Sequence, residues 1–364
     1  MSGITSSPAL RLAFEETEAK TLSKFACLAS KSRGRELPEN DCYIRSCFQR
    51  DIDRIIHSES FRRLKHKTQV FLSPTNDHFR TRLTHTLEVV CTARCISRCL
   101  NLNEDLTEAI ALAHDLGHTP FGHSGEEILA EISETGFHHA SHGVRVVTFI
   151  EKNGQGLNLT REVIDGILMH SKGRHGSATF SGESALPLTV EAQVVRIADL
   201  VAYINHDLDD AIRAGVITVE DLPREAREIL GDRHSVRIHT MVRDIIDNSI
   251  NSDLIQMSEP IRAATAEMKT FLYKDVYTRP EIDIAVQKSK NLLGQMADWF
   301  LKHPDELLRH IRYPIPDNQS LNRTLVDYLA SMTDDFALRR FQEIFVPHYY
   351  TFSDFKARKT ENCP

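Results

Sequence analysis

No apolar run in this chain approaches the roughly 20 residues needed to cross a membrane, and the opening residues MSGITSSPALRLAFEE have neither the charged start nor the apolar core of a secretory signal. Both absences point away from the membrane and toward a cytoplasmic protein. Cysteine is sparse and unpaired in pattern: seven residues, none in a CxxC arrangement, so neither a disulfide framework nor a zinc ribbon is expected. Cys91, Cys95 and Cys99 recur at helical spacing, and buried thiols in a reducing compartment are the expected reading. Segments that alternate with period two are scarce, which argues against a sheet. Internal repeats and low-complexity tracts are absent. Positive charge is not in excess either. A formal net charge of -7 argues against a nucleic-acid surface spread over the whole molecule, although the stretch from Arg45 to Lys67 leans basic and could attract phosphates.

What remains is an ordinary globular composition, 41% hydrophobic and 26% charged over 364 residues, enough to bury a large core. Helical periodicity dominates. From Leu83 to Leu100, the residues Leu83, Leu87, Val90, Cys91 and Cys95 form one apolar stripe, and Leu106 to Leu116 continues the pattern until Gly117 stops it. Further helices are predicted over 124–133, 142–152, 161–169, 189–210, 219–230, 236–248, 259–271, 282–303 and 318–342, with loops at 32–40, 171–187 and 313–316. The fold class expected from this pattern is all-α.

Histidine is the residue present in unusual number and place. Seven of the eighteen lie between His85 and His142, and the run HDLGHTPFGHSGE sets His114 directly beside Asp115. An adjacent imidazole and carboxylate, with His85 upstream and Asp199 downstream, supply the mixed nitrogen and oxygen donors that hold a catalytic divalent metal. Asp199, Tyr203 and Asp207 follow at i, i+4 and i+8 within VVRIADLVAYINHDLDDAI, one above another on a helix face. Two carboxylates and a phenol beside Val195, Ala198 and Ala202 are expensive to bury without partners, so a site is expected there. Gly117, Pro120 and Gly122 bound a compact turn that carries His118 and His123. Ser124 and Glu127 match a capping box that would start a helix after His123, leaving Glu126 free to bond that imidazole, set its tautomer and raise its pKa.

These residues carry a resemblance to a known family. His85, His114 with Asp115, and Asp199 resemble the ligand set of the HD-domain phosphohydrolases, and HDLGHTPFGHSGE resembles their deoxynucleoside triphosphate triphosphohydrolase branch, the bacterial dGTPase-like proteins. FQRDIDRIIHSESFRRLKHKTQVF, TRLTHTLEV, ILMHSKG, VEAQVVRIADLVAYINHDLDDAIRAG and RTLVDYLASMTDDFAL extend the likeness over most of Arg45 to Leu338. Two departures stand out. FHHASH keeps His139 but puts His142 where relatives commonly carry Gln, and Thr119 replaces a frequent Pro.

The resemblance implies the HD-domain phosphohydrolase helical fold with additional C-terminal helices: an arm over 1–40, a catalytic core over 41–215, a C-terminal helical region over 216–350 packed on it, and a tail over 351–364. It implies attack of a metal-activated water on the α-phosphorus of a dNTP, releasing deoxynucleoside and triphosphate. His85, His114, Asp115 and Asp199 would be ligands to a divalent metal, Mn or Mg first, with Fe, Ni or Zn as alternatives. His123 and Glu126 would be the catalytic pair, His123 acting as acid or as base, with His118 and His139 also facing phosphate. Arg82 would neutralise phosphate charge, and Gln69, Tyr203 and Asp207 would hold the deoxyribose. A homo-oligomer and an activating nucleotide at a second site are implied as well, with nucleic acid a secondary partner. Two other readings stand beside this one: another HD phosphohydrolase, cleaving nucleoside monophosphates or an alarmone, and a nucleotide or single-stranded nucleic-acid binding protein. The extended loop with His118, His123 and Glu126 favours the triphosphohydrolase.

Overall fold

The computed structural model describes residues 10–69, 80–171 and 186–347. These residues contain no strand, only the isolated bridges Arg35–Thr160 and Thr68–Thr81, so the fold is all-α. No helix among them is long and apolar enough to cross a membrane. In chain order the helices are α1 (Leu10–Thr21), α2 (Cys47–Ile56), α3 (Glu59–Arg63), α4 (Arg82–Cys99), α5 (Glu104–Ala113), α6 (Gly122–Ile132), α7 (His139–Arg145), α8 (Glu151–Gly154) and α9 (Arg161–Met169). They continue with α10 (Val190–Arg213), α11 (Arg224–Leu230), α12 (His234–Ser249), α13 (Glu259–Phe271), α14 (Pro280–Lys302), α15 (Pro304–Leu308), α16 (Leu321–Ser331) and α17 (Asp334–Phe345).

The long helix α10 organises the core. Thr189 caps it by accepting from the backbone N–H of Ala192, and Val194, Val195, Ile197, Ala198, Val201 and Leu208 are buried along it. Helices α4 and α5 pack against it, with Val89, Ala93 and Ile96 of α4 and Leu106, Ile110 and Leu112 of α5 in one continuous apolar cluster. Helix α9 closes on α5 at Gly166, where an added Cβ would lie 2.6 Å from Ile110, and this approach carries His170 toward α4 and α10. A second apolar cluster joins Phe121 and Leu129 of the α6 region to Leu293, Met296 and Phe300 of α14 and to Leu325 and Leu329 of α16. The C-terminal helices therefore back the helix that follows the HDLGHTPFGH run.

Several local expectations are corrected. Helix α5 ends at Ala113, so His114 and Asp115 occupy the turn that follows it. In a continuing helix, neighbours diverge by about 100°; leaving the helix lets both side chains converge. Helix α6 begins at Gly122 behind Phe121, whose backbone is left-handed at φ 60°, and the Ser124–Glu127 capping box does not form. Pro223 splits the segment 219–230, and a Thr333 cap splits 318–342 into α16 and α17. Helices α2 and α3 lie in the stretch read only as basic, and Cys91, Cys95 and Cys99 are exposed rather than buried. Most of the loop expected at 171–187, and the tail at 351–364, lie outside the described residues.

Candidate metal centre and adjoining cavity

Three elements bring the four expected ligands together, with His85, His114 and Asp199 forming one donor group and Asp115 beside it, also grouped with His139 and His170. His85 comes from the first turn of α4, which Thr81 and Thr84 cap reciprocally; His114 and Asp115 come from the turn after α5, and Asp199 from the middle of α10. His85 Nε2 lies 3.4 Å from His114 Nε2, 3.2 Å from Asp199 Oδ1 and 3.7 Å from Asp115 Oδ2. His114 Nε2 lies 3.4 Å from Asp115 Oδ1 and 3.9 Å from Asp199 Oδ1. Donors about 2.1 Å from a shared ion are separated by roughly 3.0–3.4 Å at octahedral to tetrahedral angles, so this spacing fits one divalent cation.

Hydrogen bonding fixes which nitrogens face inward. His114 Nδ1 is 2.7 Å from the Ala111 carbonyl and must donate to it, leaving the Nε2 lone pair free. His206 Nδ1 is 3.0 Å from the Asp207 carboxylate and donates to it; its Nε2 therefore accepts from His85 Nδ1 at 2.7 Å. The two Nε2 atoms thus face each other across 3.4 Å, flanked by two carboxylates, with His85 Nε2 3.2 Å from Asp199 Oδ1. That arrangement is repulsive without a positive charge between them. The His85 pKa reports the same demand: burial alone would lower it, but the hydrogen bond to Asp199 and the charges of Asp115 and Asp199 raise it. Burial likewise opposes ionisation of Asp115, yet His114, His118 and Arg82 hold it well below the usual carboxylate range. Arg82, itself buried, orients Asp115 through a 2.8 Å bond to Oδ2.

Beside the donor set, imidazoles stack. The ring of His118 lies on that of His139 with centroids 4.0 Å apart, and His118 Nε2 is 3.1 Å from Asp115 Oδ1. Gly117 makes this possible, because an added Cβ would lie 2.1 Å from the His139 carbonyl and 2.2 Å from Gly143 N. Burial, with the positive charges of Arg82 and His139, drives the His118 pKa well below its ordinary value. Glu126 accepts from His139 at two points, the backbone N–H and Nδ1, both at 2.9 Å, and stands 3.9 Å from Nδ1 of half-exposed His123. The carboxylate is shared, with His139 the better-held partner. Although burial would raise its pKa, these imidazoles hold Glu126 below the usual carboxylate range.

A cavity of about 400 Å3 runs from these groups along the α10 stripe, lined by Gln69, Arg82, His118, His123, Glu126, His139, Asp199, Tyr203 and Asp207. Gln69 Oε1, Arg82 Nε, His118 Nδ1 and the Tyr203 hydroxyl are buried there without a hydrogen-bond partner among the described residues. Four such orphans around one cavity are groups waiting for a polar ligand. Asp207 reaches the same wall but is already engaged, accepting from His206 at Oδ1 and from the Tyr277 hydroxyl at Oδ2.

The entrance is braced by the C-terminal helices. Asp334 of α17 accepts from Thr68 N at 3.0 Å, Thr68 Oγ1 at 2.6 Å and Phe121 N at 2.9 Å, tying the Gln69 segment to the histidine loop. Lys67, fully buried, donates to the carbonyls of His118 and Ala330. Gly122, at φ 56°, presses on the Gln69 carbonyl, which a Cβ would approach to 2.6 Å.

All twelve residues expected at the site therefore converge on this donor set and cavity. Sequence reasoning missed two others. His170 bonds its Nδ1 to the Ile167 carbonyl at 2.7 Å and brings Nε2 within 3.2 Å of His139 Nε2; burial and the charges of His114 and His139 lower its pKa to about 3. His206 lies behind His85. Its signal was available, since it stands at i+7 from Asp199 on the same helix.

Comparison with known proteins agrees with this geometry. Residues 82–204 match the HD domain, and residues 255–343 match the phosphohydrolase-associated domain. A deoxyguanosinetriphosphate triphosphohydrolase-like protein of Caldanaerobacter subterraneus is 50% identical over 92% of this chain and 95% of its own length. A protein of the same description from Desulfatibacillum aliphaticivorans is 48% identical over 93% of this chain and 98% of its own. This chain belongs to the dGTPase-like family of HD phosphohydrolases. In this dGTPase-like phosphohydrolase the HD match includes the four candidate ligands and the stacked histidines. The phosphohydrolase-associated match includes Asp334, whose carboxylate ties the loop ahead of α4 to the loop ahead of α6. A larger cavity of about 530 Å3, between α3 and the C-terminal helices, is lined by Arg63, Lys152, Arg309, Arg312 and Arg339 together with Glu59, Glu151 and Asp327, and by none of the candidate ligands.

Proposed function

We propose that this chain hydrolyses deoxynucleoside triphosphates to deoxynucleoside and inorganic triphosphate, using a divalent cation, Mn or Mg first and Fe, Ni or Zn as alternatives, held by His85, His114, Asp115 and Asp199. The observation that carries the reading is the pair of imidazole Nε2 atoms 3.4 Å apart, with two carboxylates beside them, at the head of a cavity that continues along Tyr203 and Asp207. The cavity walls hold the carboxylates of Asp115, Glu126, Asp199 and Asp207 against few cations, so a triphosphate is repelled unless the centre is loaded. When bound, a divalent cation there supplies Lewis acidity and a water of lowered pKa.

The chain's own groups supply the rest. Arg82 holds Asp115 and retains an unpartnered Nε for a phosphate oxygen. His118, kept neutral, donates its Nε2–H to Asp115 and leaves Nδ1 as an acceptor, which suits a water or a ligand hydroxyl rather than a phosphate oxygen. As a water oxygen bonds the α-phosphorus, the bond to the 5′ oxygen breaks, and the departing oxygen takes a proton from an imidazole that Glu126 orients. His139 and His123 share that carboxylate, one held at 2.9 Å and the other 3.9 Å away at the cavity mouth. Beyond the phosphates, the sugar lies along α10, with Gln69 and Tyr203 close to C2′ and Asp207 accepting from the 3′-OH through its remaining lone pairs. The preferred order is dNTP above both rNTP and 2′,3′-dideoxy NTP.

We also assign to the family resemblance a homo-oligomeric state and an activating nucleotide at a second site. The test is incubation with each dNTP singly and with all four mixed, under Mn2+ and under Mg2+, with products separated by chromatography. Triphosphate and deoxynucleoside are expected. Orthophosphate or pyrophosphate as the primary product overturns the reading.

A further inference from the structure

His206 belongs to no part of the motif, yet it is fully buried between a metal-facing imidazole and a cavity-facing carboxylate. With the Nε2 lone pair of His85 turned to a cation, its proton sits on Nδ1, and the direction of every hydrogen bond along this line follows. The Tyr277 hydroxyl donates to Asp207 Oδ2, and His206 Nδ1–H donates to Asp207 Oδ1 at 3.0 Å. His206 Nε2 must then accept, and His85 Nδ1–H donates to it at 2.7 Å. The ring planes of His85 and His206 stand at 81° with centroids 4.8 Å apart, so the His85 N–H points at the edge of its neighbour. The result is one ordered chain from Tyr277 through Asp207 and His206 to His85, whose last atom, Nε2, faces the donor set.

We propose that His206 is a positioning residue that relays the Asp207 carboxylate to His85, holding the His85 ring in the tautomer and orientation that presents Nε2 to a divalent cation. Ligand imidazoles are commonly held by a carboxylate or carbonyl on the far nitrogen. His114 uses the Ala111 carbonyl for this purpose, whereas His85 uses a second imidazole backed by a carboxylate. Asp207 thereby serves two ends, the sugar wall and the metal wall, and its removal is felt at a cation it does not touch. The inference rests on the metal reading of the four residues above, not on which nucleotide is cleaved.

The test is Mn2+ binding to the full-length chain, measured by calorimetry or by electron paramagnetic resonance without nucleotide. His206→Asn keeps a donor near Asp207 but removes the acceptor facing His85, while His206→Gln restores an acceptor at the Nε2 position. Loss of a partner behind a ligand weakens metal binding by roughly 10- to 100-fold, and that loss is expected for His206→Asn, with His206→Gln recovering most of it. Asp207→Leu is expected to weaken Mn2+ as well, and the pair His206→Asn with Asp207→Leu to lose no more than the larger single effect, because both act through one chain. A merely packing role for His206, or a role for Asp207 confined to the sugar, leaves Mn2+ affinity untouched in the Asp207 variant. Unchanged affinity in His206→Asn or in Asp207→Leu overturns the inference while the metal reading stands. Failure of the unmodified chain to bind Mn2+ removes the metal reading first and the inference with it. Should His206→Asn fail to fold by circular dichroism, Asp207→Leu decides.

Discussion

Acidification should destabilise this protein through buried histidines, and His142 isolates one share of the effect. His142 stands on α7 behind the site, accepting at Nδ1 from Arg323 at 3.3 Å, with Asp327 Oδ1 3.7 Å away. Burial pushes its pKa down to about 3, against the opposing charge of Asp327 and with the help of Arg323, Lys67 and Arg145. In the unfolded chain the same imidazole titrates near about 6.5. The native state therefore refuses a proton that the unfolded state takes up. Stability is complete above the unfolded value and falls as pH drops through the window from about 6.5 to 3, at about 1.4 kcal/mol per pH unit. At pH 5 the accumulated loss from this residue is roughly 2 kcal/mol, and at pH 7.5 it is roughly zero. His142→Gln keeps an acceptor for Arg323 and cannot titrate. Urea unfolding of parent and variant with chelator present, at pH 7.5 and pH 5, should show the variant gaining roughly 2 kcal/mol on the parent at the lower pH. His118 and His170 are shifted in the same direction, so the parent remains acid-sensitive in both chains. Equal pH dependence of the two chains would refute the reasoning.

Asp334→Ala strips three donors of their shared acceptor, and leaving buried donors unpaired should cost roughly 3 kcal/mol in thermal or urea unfolding. Turnover should fall with it, because the Gln69 and Phe121 segments lose their common tie; full activity in a destabilised variant would separate the tie from the site. Glu126→Gln and His139→Ala should each lower kcat by roughly 10²- to 10⁴-fold, with the double variant no worse than the lower single, since both remove one hydrogen-bonded pair. Strict additivity would assign the carboxylate to His123 instead.

Most of the site was legible because its chemistry is written in adjacent or helically spaced residues. His114–Asp115 are neighbours, and Asp199, Tyr203 and Asp207 repeat at the helical period and line one cavity along α10. The periodicity could not tell that α5 stops at Ala113, since Leu116 continues the apolar pattern; Gly117, which closes on Gly143, lies beyond the stop. The cap at Ser124 failed because the loop enters α6 through a left-handed Phe121, pinned by an aspartate more than two hundred residues away. Exposure of Cys91, Cys95 and Cys99 shows that helical spacing alone does not say which face is covered. Helix α2 carried a readable start, the Ser46–Gln49 capping box, and an apolar face of Phe48, Ile52 and Ile55, both obscured by its basic residues. His170 and His206 act through tertiary contacts to His139 and His85, and only the second left a trace in the spacing.

The central claim is the location of the cation. Anomalous diffraction from crystals of the full chain equilibrated with Mn2+ tests it in one measurement. The account predicts a single strong peak about 2.0–2.3 Å from His85 Nε2, His114 Nε2 and one oxygen each of Asp115 and Asp199. A peak confined to the His118, Glu126 and His139 cluster, or no peak at saturating Mn2+, would contradict it.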